Sequence, residues 1–236
     1  MEKTRRIVIA GWGSCSQKWA AHLGLPSSQT LCLDWSDETL DASASPLLAR
    51  LTSSEEQVTL LGWSLGGLLS LRAAALCPEK VRNVVLVAGT PRMTADGSFP
   101  GVDPRQIQIM RRRLPRNRQA TMTSFAELSA SASPAKEGFA EWFVPQTELF
   151  TTEQLVHGLE LLLQLDIIEL LPQITAPVQL LHGEEDNVIP CEVAHVLLER
   201  LANASLCSLP QVGHDLAWQC PDLVREQIIT PEPHNA

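Results

Sequence analysis

Residues 58–76 read VTLLGWSLGGLLSLRAAAL, and their reading decides the fold. The apolar run ending at Leu61 has the continuous hydrophobic character of a strand buried on both faces, and the run after Ser64 reads as a helix. Between them Gly62-Trp63-Ser64-Leu65-Gly66 fits G-x-S-x-G, a pattern that carries meaning only where a strand turns into a helix. There the tight turn holds the serine in a strained backbone, and small neighbours are needed where chain passes close to chain. The helix that follows sets the Leu65 N–H beside the serine at the positive end of a helix dipole, where negative charge can develop. The pattern also arises by chance in chains rich in Gly and Ser, and a serine without a base is a poor nucleophile. The rest of the chain must therefore supply the base.

Further apolar runs lie at 7–10 (IVIA), 30–33 (TLCL), 84–88 (VVLVA), 178–181 (VQLL) and 204–209 (ASLCSL), separated by amphipathic segments. That alternation predicts an α/β fold with a mostly parallel sheet of about six strands flanked by helices. It is interrupted between Pro91 and Ile174, where the sequence reads as helices joined by polar loops, one of them the Ser-, Ala- and Pro-rich stretch 127–138. The expectation is a single domain over 1–236 with a helical lid inserted at about 92–172.

Of the six histidines, His214 stands in QVGHDLAW, after the last expected strand and before a helix starting near Pro221. Upstream, VQLL runs into the loop HGEEDNVIP, which carries Glu184, Glu185 and Asp186. Nucleophile, acid and base then follow one another in the order Ser64, an acid of 184–186, His214, each at the carboxyl end of a different strand. His214 would take the Ser64 proton, and the acid would hold the imidazole in the right tautomer. His22, His157, His182, His195 and His234 show no metal-ligand spacing and read as ordinary side chains, so no metal is expected, and a serine nucleophile with its base needs no other cofactor.

With 44% hydrophobic and 19% charged residues, the 236-residue chain has ample apolar material for one core. A net charge of -9 disfavours nucleic acid and anionic membrane as general partners. Its six cysteines are scattered without a C-x-x-C pair, which indicates neither a zinc site nor a disulfide framework and suits a reducing compartment. MEKTRRIVIAGWG begins basic and turns apolar, but the run is short and no small-residue cleavage site follows, so it reads as a first strand rather than a signal peptide. No segment is long and apolar enough to span a bilayer, and a cytoplasmic monomer is expected.

The chain resembles the α/β-hydrolases, and within them the BioH-type pimeloyl-[acyl-carrier protein] methyl ester esterases, on IAGWGSCSQKW near the start, LLGWSLGGLLSLRAAALCPEKVRNVVLVAGTP around the serine, HGLELLLQLDIIELLPQITAPVQLLHGEEDNVIP around the acid, and GHD at the base. The resemblance implies the α/β-hydrolase fold, here starting at what corresponds to the family's third strand. It also implies Ser64 as nucleophile, Asp186 rather than its glutamate neighbours as acid, His214 as base, and backbone donors at Trp12 and Leu65 for an oxyanion hole. Many relatives carry histidine where Ala10 stands; because the donor is the Trp12 backbone, that departure bears on loop packing more than on the donor. Trp12 and Trp63 are expected to flank the serine and narrow the pocket. Phe125, in a stretch (MTSFAEL) that resembles the family's lid helix, is expected to line the acyl channel.

Residues 103–118, DPRQIQIMRRRLPRNR, hold six arginines against one aspartate, a third of the chain's eighteen basic residues. Pro104 opens a helix, Ile107, Met110 and Leu114 share one face, and the arginines fan over the others. Most charge runs are merely solvated helix faces. A basic lid on an acidic body can also steer one anionic partner. The resemblance names a suitable one, acyl carrier protein, with Arg111, Arg112, Arg113 and Arg116 as docking residues. The activity implied is hydrolysis of the methyl ester of pimeloyl-acyl carrier protein in biotin synthesis. The rival readings are a hydrolase of a free small ester, a lactone or a carbon–carbon bond, and a non-catalytic ligand-binding member of the fold.

Overall fold

The computed structural model describes residues 6–133 and 136–229. In chain order its elements are β1 (Arg6–Ile9), α1 (Ser16–His22), β2 (Thr30–Cys32), α2 (Pro46–Thr52), β3 (Val58–Trp63), α3 (Leu65–Leu76), β4 (Val81–Val87), α4 (Pro104–Arg113), α5 (Arg118–Ser129), α6 (Lys136–Thr147), α7 (Thr152–Gln164), β5 (Val178–Gly183), α8 (Glu192–Arg200), β6 (Ala204–Leu209), α9 (Leu216–Gln219) and α10 (Pro221–Ile229). The six strands form one sheet in the order β2-β1-β3-β4-β5-β6, and every neighbouring pair is parallel. This is the α/β fold expected, with all pairings rather than most of them parallel.

Burial follows the strand sequences. β3 and β5 are buried along their whole length, as their largely apolar runs demand, and the polar Thr59 within β3 donates to Asn83 Oδ1 at 2.6 Å; the edge strands β2 and β6 are half-buried throughout. Residues 65–75 of α3 are all buried, which suits a helix apolar on every face and placed against the middle of the sheet. Its one charge, Arg72, is satisfied by donating to the carbonyls of Thr39 and Leu40 at 2.6 and 2.5 Å.

Strand order reverses at β1: the chain moves outward to β2 and then returns to the other side of β1 with β3. Open parallel sheets place their sites at such a crevice, beyond the carboxyl ends of the strands. The register Ile9↔Gly62 makes the loop after β1 a neighbour of Ser64.

Between β4 and β5 the chain builds α4 to α7, and its only β-type contacts among the described residues are isolated bridges. The two ends of this insertion are stitched together. Arg92 pairs with Asp166 at 3.0 Å, and the Ile167 N–H donates to the Pro91 carbonyl at 3.0 Å. The loop expected over 127–138 is shorter than that, because α5 runs on to Ser129; Pro134 and Ala135 lie outside the described residues, as does His234. No helix among the described residues is long and apolar enough to cross a membrane.

Candidate active site

Ser64 stands between the end of β3 and the start of α3 with φ 54° and ψ −117°, a conformation that side-chain-bearing residues rarely adopt. The turn is held by its backbone, since the Ser64 N–H donates to Val87 O at 3.0 Å and its carbonyl accepts from Gly67 and Leu68. The glycines serve close approach rather than unusual torsion. A β-carbon at Gly62 would lie 2.5 Å from the Gly66 carbonyl oxygen, and one at Gly66 would lie 2.0 Å from the Ile9 carbonyl oxygen. The positive φ is borne by the serine itself.

His214, in the loop after β6, accepts the Ser64 hydroxyl proton at Nε2, 2.9 Å away, and donates from Nδ1 to Asp186 Oδ2 at 2.8 Å. Asp186 Oδ1 accepts from the Val188 and Ile189 N–H groups, both at 2.8 Å, so each carboxylate oxygen is aimed by its own partners. All three side chains are buried. Glu184 and Glu185, the rival acids, point to solvent. The chain can thus hold the imidazole in the tautomer that receives a proton from Ser64 Oγ, the arrangement of an activated serine nucleophile. Among the described residues the backbone N–H groups of Trp12 and Leu65 have no backbone acceptor.

Ser64 opens into a cavity of about 230 Å³ lined mainly by apolar groups, including Trp12, Phe125, Leu159 and Leu162. The far wall comes from α4 and α5, with Ile107, Met110 and Leu128. A sequence model described as the Alpha/beta hydrolase family matches residues 9–227. The chain belongs to that family.

A relative of this hydrolase from Photobacterium profundum, named pimeloyl-[acyl-carrier protein] methyl ester esterase, is 33% identical over 201 residues, covering 80% of this chain and 78% of its own. A relative of the same name from Nitrosomonas europaea is 30% identical over 227 residues, covering 88% and 87%. Among solved structures, an esterase from Exiguobacterium antarcticum superposes with a TM-score of 0.82 at 20% identity, over 97% of this chain and 92% of that one. A bromoperoxidase from Bacillus anthracis gives 0.81 at 17% identity, over 96% and 91%. At such identities the superpositions speak for the fold alone.

Other site residues of the hydrolase fall less simply. Trp12 and Phe125 line the cavity and meet edge to face at 5.1 Å. Trp63 does not line it, contrary to expectation. Side chains alternate along a strand, so the ring next to Ser64 in sequence turns away, into a cluster with Trp19, Phe139 and Trp142, and its Nε1–H donates to the His214 carbonyl at 3.2 Å. Of the four arginines expected to dock a partner, Arg111 is engaged within the molecule, paired with Glu160 of α7 at 3.1 Å. Arg112, Arg113 and Arg116 are exposed, and Arg113 is the one charged side chain among those lining the cavity.

Three residues at or behind the site escape sequence reading. His182, buried at the end of β5, donates from Nε2 to the Ile189 carbonyl at 2.9 Å and lies 3.5 Å from Asp186 Oδ2, bracing the acid loop. Burial holds its imidazole below the ordinary histidine value, against the pull of Asp186. Gln146 of α6 holds the loop after β1. Asp215, beside the base, is fully buried, and burial pushes its carboxyl up to about 6, against the Ser133 hydroxyl. The folded protein therefore binds this proton more tightly than the unfolded chain, so stability falls as pH rises from about 4 through about 6. Asp215→Asn is expected to melt higher than wild type at pH 8, with the difference vanishing near pH 4; an equal difference at both pH values in thermal denaturation would refute this assignment.

Proposed function

We propose that the protein is a cytoplasmic serine carboxylesterase that hydrolyses the methyl ester of a pimeloyl chain borne by acyl carrier protein. The observation that carries this reading is the Ser64–His214–Asp186 relay opening onto an apolar cavity whose far wall is the arginine-bearing α4. The names of the relatives support the substrate.

In this reading Ser64 Oγ attacks the ester carbonyl as its proton passes to His214 Nε2, and the oxyanion is received by the Trp12 and Leu65 N–H groups. Collapse breaks the bond to the methoxy oxygen, which leaves as methanol with the proton from His214. Water, deprotonated by the same imidazole, then splits the acyl-enzyme, releasing the carboxylic acid and restoring Ser64. Asp186 stabilises the imidazolium at both steps, and His182 keeps its loop in place. Trp12, Phe125 and Leu159 exclude water from a linear acyl chain lying in the cavity, with the helical insertion acting as lid.

The carrier would dock on Arg112, Arg113 and Arg116, which are exposed on a body of net charge -9. In this reading Arg113, which lines the cavity, would meet the anionic arm that delivers the chain. Changing Arg112 and Arg116, which do not line the cavity, to glutamate is expected to lower kcat/KM for the carrier-bound ester by about 10- to 100-fold at low salt while leaving p-nitrophenyl acetate hydrolysis within twofold. An unaltered rate on the carrier-bound ester at low salt would remove the docking surface.

A further inference from the structure

We infer that Gln146, a residue of the helical insertion, is the positioning residue of the oxyanion loop. The inference rests on the reading that the Trp12 N–H receives the oxyanion, and it adds the group that fixes where that N–H points.

Gln146 is 1% exposed and sits in α6, far in sequence from the loop that it holds. Its Oε1 accepts from the Ser14 hydroxyl and from the Cys15 N–H, both at 3.1 Å. Its Nε2 donates to the Trp142 carbonyl at 2.9 Å. Those partners allow only one orientation of the amide, because the flipped group would set an NH₂ against the Cys15 N–H and an oxygen against a carbonyl. The loop is held elsewhere too: the Ser14 N–H donates to Gly11 O, the Trp35 Nε1–H donates to Ser14 O, and Ser16 Oγ accepts from the Ala10 N–H. Gly13, at φ 77°, lies so close to α5 and α6 that a β-carbon there would come 2.8 Å from Met122 Cε and 3.0 Å from Phe143 Cζ. Trp12 therefore stands between two fixed points, the strand-side hydroxyl of Ser16 and the insertion-side amide of Gln146. Its own indole is tied to α7 through the Leu155 carbonyl at 2.8 Å.

Gln146 touches no substrate atom and brings no charge, so its contribution reaches the reaction through the loop. An oxyanion donor works by being fixed where charge will appear, and displacement of about 1 Å costs on the order of 100-fold in rate. The insertion thereby does more than roof the cavity: moving α6 moves the Trp12 N–H.

The test uses the full chain with Gln146→Met, close in size but without the polar atoms, and with Ser14→Ala, which removes one donor to Gln146. Readouts are kcat and KM for p-nitrophenyl acetate, the affinity for an alkyl trifluoromethyl ketone that adds to Ser64 as a tetrahedral oxyanion, and the melting temperature. Gln146→Met is expected to lower kcat about 10- to 100-fold with KM within twofold, and to weaken ketone binding by the same factor. Ser14→Ala is expected to cost about threefold to tenfold, and the double variant no more than Gln146→Met alone, because both act through one contact. A folded Gln146→Met protein with wild-type kcat and ketone affinity would overturn the inference, as would changes in melting temperature alone. Should Gln146→Met fail to fold, Ser14→Ala decides by the same two readouts. A wild-type protein that hydrolyses the ester yet forms no ketone adduct would instead remove the oxyanion reading beneath it.

Discussion

Ser64→Ala is expected to lower ester turnover by about 10⁶-fold with no loss of fold. The Oγ is the only atom removed, and the β-carbon that must tolerate φ 54° is already present in the serine. The turn itself is held by backbone hydrogen bonds to Val87, Gly67 and Leu68, which alanine keeps. His214 would lose the hydroxyl that it meets at 2.9 Å but would retain Asp186. Methanol release from a methyl ester, read beside the melting temperature, checks both halves of the expectation. Residual turnover within tenfold of wild type in a folded protein would mean that another residue attacks the ester.

Gly66→Ala carries the largest expected loss of stability. Its β-carbon would stand 2.0 Å from the Ile9 carbonyl oxygen, 2.5 Å from the Ile9 carbonyl carbon and 2.6 Å from the Ala10 carbonyl oxygen. All three are backbone atoms, so no side chain can swing aside. Relief requires α3 to lift away from β1, next to the Ile9↔Gly62 pairing that brings the loop after β1 to the serine. A loss of more than about 4 kcal/mol is expected, the scale reserved for severe overpacking and strain. Urea denaturation measures it, with Gly97→Ala as the control because nothing lies within 4 Å of a β-carbon there. A Gly66→Ala midpoint equal to that of the control would contradict this packing.

The strands were legible because a sheet buried on both faces leaves mostly apolar runs such as VTLL and VQLL, in which Thr59 and Gln179 are single polar interruptions. The pairing of Ser64 with His214 was legible through order along the chain, since each stands just beyond the end of a strand. The acid was not separable from Glu184 and Glu185 by residue type; what separates it is a loop that turns Asp186 inward and gives Oδ1 two backbone donors. Trp63 was misplaced because adjacency in sequence means opposite faces in a strand. Gln146 and His182 act through contacts that no motif records, Gln146 reaching back 132 residues to Ser14. Arg111 was grouped with the docking residues because its partner, Glu160, lies on a helix whose packing against α4 is a tertiary fact.

The most direct measurement compares hydrolysis of the methyl ester of pimeloyl-acyl carrier protein with that of free dimethyl pimelate, at equal concentration and low salt, with Ser64→Ala as the blank. A strong preference for the carrier-bound ester, weakening as salt rises and absent from the blank, is the result the proposed function predicts. Equal or faster turnover of the free ester would contradict it, leaving a hydrolase of small esters.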